Sequence, residues 1–99
     1  MTIIISNSVS DNWRIIQKSQ STDIWMHLKS FPSNSIVIRD EDPDDDRIME
    51  AAIICKSISK YKFKGIKVSY TPVNNLVMGD IIGTVSFISD EEVKSIIPP

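Results

Sequence analysis

The clearest pattern in the chain is an alternation. From 23 to 28, Ile24, Met26 and Leu28 fall on one side of an extended segment, and Asp23, Trp25 and His27 on the other. Residues 35–39 alternate in the same way, with Ile36 and Ile38 opposed to Val37 and Arg39. The stretch Phe31-Pro32-Ser33-Asn34 between them is a turn signal. Further strands are expected at 3–5, at 13–17 after a polar turn, at 66–70 with Ile66, Val68 and Tyr70 on one face, at 82–88, and at 93–97 before Pro98 and Pro99. A turn is expected at 78–80.

One segment follows the helical period instead. Ile48, Ala51, Ala52, Cys55 and Ile58 form an apolar stripe. Asp42 suits the N-cap and Pro43 the first helical position. Asp42 and Asp45 have capping-box spacing, and Asp44, Asp45 and Asp46 meet the positive end of the helix dipole. Lys56 and Lys60 lie near the negative end. The pattern predicts one long helix over about 43–60, with Gly65 ending the segment. Strands on both sides of it point to an α+β fold: a single domain over 1–99, with a mostly antiparallel sheet packed on that helix.

Composition narrows the class. The 99 residues suit one core, and 41% apolar with 24% charged residues is ordinary globular usage. One cysteine, Cys55, cannot form an intramolecular disulfide, and with one histidine it cannot build a zinc site from those ligands. No apolar run approaches the ~20 residues of a membrane helix. Residues 1–6 carry no basic leader. A cytoplasmic protein without a membrane partner and without a cofactor is expected.

The net charge of −2 argues against nucleic acid, but the charge is uneven. Six of the thirteen acids lie within 40–46, and five of the eleven basic residues within 56–67. Lys56, Lys60, Lys62, Lys64 and Lys67, with Tyr61 and Phe63 interleaved, suit a phosphate backbone with a ring for a base. Helix capping and core packing are the structural alternative. On the strand face, Trp25 offers a stacking surface, His27 a switchable donor or acceptor, and Asp23 an acceptor. The alternative there is a buried tryptophan with Asp23 ordering a turn. Arg39 approaches that face if the two strands form a hairpin, and would hold a phosphate there or pair with Asp23 or Asp40. The acidic run lacks calcium-loop spacing, and its place at a helix start accounts for it. Neither a nucleophile-elbow glycine pattern nor a phosphate-cradling glycine loop is present, and Cys55 lies in the apolar stripe, so an enzyme is not expected.

These residues also carry a family resemblance. Asp23-Ile24-Trp25-Met26-His27 resembles the D-I-W-x-H motif of the NFACT-R domain. Ser35-Ile36-Val37-Ile38-Arg39-Asp40 is similar to its strand ending in Arg-Asp. Asp42-Pro43 through Glu50-Ala51-Ala52 resembles its helix, Val68-Ser69-Tyr70-Thr71-Pro72 its next strand, and Gly83-Thr84-Val85-Ser86-Phe87 with Pro98 its ending. The likeness runs over 13–99, with five motifs in order. It implies a compact RNA-binding domain. Long members place it in ribosome quality-control proteins that bind the large ribosomal subunit and tRNA and support tail addition to stalled chains. Asn75-Leu76 looks closer to a short eukaryotic branch, in which DNA binding is described for at least one member. The roles implied by position fall on Asp23, Trp25, His27 and Arg39. This sequence is expected to differ from the long members by their N-terminal domain, helix-hairpin-helix and coiled coil, and from the short branch by its charged tail. Residues 73–80 carry no lysine where long members often have a basic loop, and the acidic balance weakens the implied phosphate contacts further.

The combined expectation is a stand-alone module for structured RNA, tRNA or rRNA, with DNA and the ribosome as further candidate partners. Its expected contacts are Asp23, Trp25, His27, Arg39, Lys56, Lys60, Lys62, Lys64 and Lys67. The competing expectation is a protein-interaction module that docks a ribosomal protein or a second copy through the same Trp/Arg face.

Overall fold

The two faces of residues 24–28 organise the molecule, because both are buried. The structure, a computed structural model, describes residues 2–99. Its strands are β1 (Ile3–Ile5), β2 (Ile24–Leu28), β3 (Ile36–Ile38), β4 (Val68–Pro72), β5 (Leu76–Met78), β6 (Val85–Phe87) and β7 (Lys94–Ile96). Its helices are α1 (Asn12–Gln17) and α2 (Asp45–Ser57). Five strands form one sheet in the order β1-β3-β2-β4-β7, every pair antiparallel, and β5 and β6 form a separate hairpin. The expected α+β layering holds.

On one side of the sheet, Ile24, Met26, Leu28, Ile36, Ile38, Ile66 and Val68 pack against Ile48, Ala51, Ala52 and Cys55 of α2. Tyr70 joins this cluster, so Ile66, Val68 and Tyr70 share a face as their spacing predicts. The alanines let the helix backbone lie close to the sheet. On the other side, Trp25 and Val37 pack against Ile15 and Ile16 of α1 and, at the margin, Leu76, Val85 and Phe87 of the hairpin. The sheet is therefore sandwiched between one regular helix and a smaller layer of α1 and the hairpin.

Three expectations need correction. The helix is 13 residues, shorter than the predicted 43–60. Its N-cap is Asp44, whose carboxylate accepts from the Arg47 backbone N–H at 2.9 Å. Asp42 instead donates its own N–H to Oδ1 of Asp40 at 3.0 Å, closing a turn upstream. The helix stops at Ser57, and Ile58 is exposed beyond it. Residues 13–17, expected as a strand, lie in helix α1. Asn12, Ile15 and Ile16 are its buried positions, a helical i, i+3, i+4 set. Asp11 anchors the turn before it: its carboxylate accepts from the Asn7 N–H at 2.8 Å and from Arg14 at 2.7 Å. The Arg14 hydrogen bonds hold the Asp11 carboxyl down at about 2. The strand expected at 82–88 is confined to Val85–Phe87.

Two buried asparagines fasten the smaller layer. Asn12 Oδ1 accepts from Ser6 Oγ at 2.7 Å and from the Ser35 N–H at 2.8 Å. Its amide donates to the Ser33 and Gly83 carbonyls, each at 3.2 Å. Asn75 donates to Thr71 Oγ1 at 3.0 Å and to the Ser89 carbonyl at 2.9 Å, and accepts from the Ser89 N–H at 2.9 Å. Gly83 has φ +88°, and a Cβ there would run into the Val9 carbonyl oxygen. Removing the Asn12 amide takes the donor from two carbonyls at once and the acceptor from Ser6 Oγ, while the Ser35 N–H keeps only Ser6 Oγ at 3.0 Å. Asn12→Ala is expected to cost about 2–4 kcal/mol, measured by urea unfolding. A loss of only a few tenths would show that Asn12 is not the fastening.

Candidate nucleic-acid interface

Strand parity places Trp25 and His27 on one face of β2, as expected, but that face is covered. Trp25 is 3% exposed, and its Nε1 donates to Ser35 Oγ at 2.9 Å. Phe87 meets it edge-on with ring centres 5.8 Å apart. The expectation of a solvent-facing indole is therefore corrected: α1 and the hairpin close over it. Its other neighbour is His27, stacked at 5.4 Å with the rings 13° from parallel. The indole acts as a wall that sets the imidazole plane.

His27 is half-buried, and its Nδ1 lies 2.7 Å from the Leu28 carbonyl. That contact requires the proton on Nδ1, so Nε2 of the neutral ring is an acceptor. Burial lowers the His27 pKa, offset in part by backbone contacts to Leu28 and Ser33. The ring is held neutral.

Asp23 serves the turn. It is buried, its Oδ2 accepts from the Gln20 N–H at 2.9 Å, and its carbonyl accepts from the Val73 N–H at 2.8 Å. Its carboxylate makes no hydrogen bond to His27, and ordering the turn is the structural alternative for it. Arg39 is exposed just past β3. The β2–β3 register pairs Ile24 with Ile38, so Arg39 stands beside Asp23. That is four residues, about 13 Å, from His27. The expected joining of Arg39 with His27 is thus corrected. Among the described residues the ion pairs are Arg14–Asp11 and Arg47–Glu50, and Arg39 pairs with neither Asp23 nor Asp40.

The lysines gather at the other end of the sheet. Residues 58–67 connect α2 to β4, and Lys60, Lys62, Lys64 and Lys67 are exposed along this connection. Lys56 is half-buried in the last turn of α2, with Nζ 3.3 Å from the Pro99 carbonyl. The Lys29 N–H donates to the Lys67 carbonyl at 2.9 Å, so exposed Lys29 joins the cluster from a distant part of the chain. Phe31 packs on Tyr61 at 4.8 Å and on Phe63 at 5.4 Å, and Phe63 remains 50% exposed among the lysines. Sequence reasoning missed Lys29 and Phe31, because only the β2–β4 pairing brings them here.

The acids occupy the far end. Asp45 opens α2, and a 13-residue helix is about 20 Å long. Glu41, Asp42, Asp45, Glu91 and Glu92 line a separate acidic groove at that end. The separation exceeds the ~8 Å screening length at physiological salt, so an anion near the lysines meets a positive field despite the net charge of −2.

Between sheet and hairpin lies an open cleft of about 640 Å³. His27, Ser69 and Ser95 contribute from the sheet, Gly83, Thr84, Val85 and Phe87 from the hairpin side, and Lys29, Ser30 and Phe31 from the turn. The cleft therefore opens beside the lysine cluster. Cys55 lies on the opposite side of the sheet, fully buried, its thiol pushed up to about 11 by burial, and it takes no part.

The chain has relatives among known proteins. A protein-family profile described as the NFACT protein RNA binding domain matches residues 1–87. The Rqc2 homolog RqcH of Bacillus subtilis (strain 168) is 33% identical over 78 residues, which is 77% of this chain and 14% of that protein's length. In fold, the chain matches the C-terminal part of the fibronectin/fibrinogen-binding protein from Streptococcus suis, with TM-score 0.85 over 98% of this chain and 40% of that one at 22% identity.

Two outcomes follow from the buried pair. Trp25→Ala is expected to lower stability by about 3–5 kcal/mol, read from thermal or urea unfolding. Retained wild-type stability would contradict the burial. For His27, the unfolded chain takes up a proton near 6.5 while the fold resists it. Stability should therefore fall as pH drops through 6.5 and level off below the lowered folded value. His27→Gln should flatten that slope in unfolding midpoints measured against pH. An unchanged slope would show that His27 is not its source.

Proposed function

The chain belongs to the NFACT protein RNA binding domain family, and from that premise we propose that it binds structured RNA, tRNA or rRNA, as a cytoplasmic module of ribosome quality control. The whole of residues 1–99 serves as the binding unit. The family is one of RNA-binding domains, and no catalytic step is assigned to this chain. The relative's description as an Rqc2 homolog supports the ribosome quality-control setting. In this reading the module makes its RNA contacts without help from a second domain.

The observation that carries the reading beyond the family is the segregation of charge. Lys29, Lys60, Lys62, Lys64 and Lys67 would hold phosphates, and half-exposed Phe63 would stack on a base. Arg39 would reach a backbone phosphate only at the other end of β3. Lys56 contributes to the field from the last turn of α2. Asp23 and Trp25 support the site from beneath it rather than touching RNA. Burial of the Trp25 indole also takes away the anchor that a protein-docking reading through the same face requires. Among the described residues no helix is long and apolar enough to cross a membrane.

Affinity for a tRNA should fall steeply as salt rises, since each neutralised phosphate releases counterions. The double variant Lys62→Glu, Lys64→Glu should weaken binding by roughly tenfold or more and reduce the salt slope by about 2. Fluorescence anisotropy across a salt series measures both. Salt-independent binding, or an unchanged slope in the variant, would remove these lysines from the interface.

A further inference from the structure

We propose that the cleft between the sheet and the β5–β6 hairpin receives one unpaired ribonucleotide, with Ser69, Ser95 and His27 as its hydrogen-bonding floor and Lys29 at its mouth. The inference rests on the RNA-binding reading and adds which form of RNA is recognised and where.

The floor is a single row across three strands. His27 pairs with Ser69, and Ser69 pairs with Ser95, so all three project from the same side of the sheet. Directly opposed residues in antiparallel strands have Cβ atoms about 4.5–5.5 Å apart, so the row is about 10 Å long. Ser69 is only 7% exposed, and its hydroxyl makes no hydrogen bond among the described residues. Every fully enclosed polar side-chain atom among those residues is partnered, so this hydroxyl opens onto the cleft with its bonding capacity free. His27 adds an acceptor at Nε2, because Nδ1 is engaged with the Leu28 carbonyl. Trp25, stacked at 5.4 Å, holds that ring in place.

The chemistry of the floor selects its occupant. The two hydroxyls and the neutral imidazole of the floor offer donors and acceptors without a formal charge, and the wall adds one acid and one base, Asp90 and Lys94, which together suit a base edge and a ribose 2′-hydroxyl. A phosphate finds its cation at the mouth, in Lys29, continuous with Lys67 and the lysines beyond. A volume of about 640 Å³ lies in the range of small-ligand pockets. The bases of an intact duplex face inward, so only a loop, bulge or end can enter.

The test compares three labelled probes by fluorescence anisotropy: an RNA hairpin with an unpaired loop, a blunt RNA duplex, and a DNA hairpin of the same sequence. The wild-type chain should prefer the RNA hairpin to both others. Ser69→Leu, which fills the cleft, should weaken hairpin binding by roughly tenfold or more and leave duplex binding, held by the lysines, unchanged. His27→Gln should reduce the preference for RNA over DNA. Equal affinity of wild type for the RNA and DNA hairpins, or wild-type hairpin affinity in Ser69→Leu, overturns the cleft while leaving RNA binding intact. Absence of binding to every RNA probe overturns the RNA-binding reading itself, and the cleft with it. Should Ser69→Leu fail to fold, NMR of the wild-type chain decides. Hairpin-induced shifts at Ser69, Ser95 and the His27 ring support the cleft, and shifts confined to residues 58–67 refute it.

Discussion

Two buried asparagine side chains hold this molecule in its working shape. Asn12 joins the end of β1, the start of β3 and the hairpin loop in one set of hydrogen bonds, and Asn75 joins β4 to the segment after β6. An amide side chain suits this task because it both donates and accepts, and so satisfies backbone groups of opposite kind at one point. Such groups have no water to turn to once buried, which makes the arrangement all-or-none. Without these two points the α1 and hairpin layer would rest on the sheet mainly through apolar residues, among them Ile15, Ile16, Leu76, Val85 and Phe87. Apolar contact is not directional and would fix neither height nor register.

That fastening explains why one sheet face becomes a cleft rather than a flat platform. The hairpin is held close at Gly83, where any side chain would strike the Val9 carbonyl. Near Trp25 the gap is closed by Phe87 and α1, and toward Lys29 it stays open. The aromatic pair then divides its labour along β2. Trp25 is buried and fills the closed part, while His27, one alternate position on, reaches the open part. A histidine so placed is desolvated enough to stay neutral and still wet enough to meet a ligand.

Electrostatics is arranged along the length of α2. The acidic start of the helix and its lysine-rich exit lie about 20 Å apart, and salt screens each from the other. Each end also follows helix physics, with acids at the positive pole of the dipole and a lysine near the negative pole. The same residues thus stabilise the helix and polarise the surface. The exposed aromatic Phe63 sits within the positive end, next to the mouth of the cleft.

Local periodicity determined a good part of this protein. The parity of Trp25 and His27, the opposite parity of Met26 and Leu28, the apolar stripe through Cys55 and the dense lysines are all properties of neighbouring residues, and the sequence motifs carried the family likeness. The misreadings were also local in origin. Six residues at 12–17 are too few to separate strand from helix by period, and Asp42 and Asp44 offer equivalent carboxylates for a cap. The tertiary structure alone decided which face of β2 meets water, because the residues that cover Trp25 come from α1 and a hairpin far along the chain. It alone brought Lys29 to Lys67, parted Arg39 from His27, and lined up His27 with Ser69 and Ser95. Alternation says which side chains share a face. Strand register and the packing of a second layer are long-range choices, settled by which burial leaves no polar group unpaired.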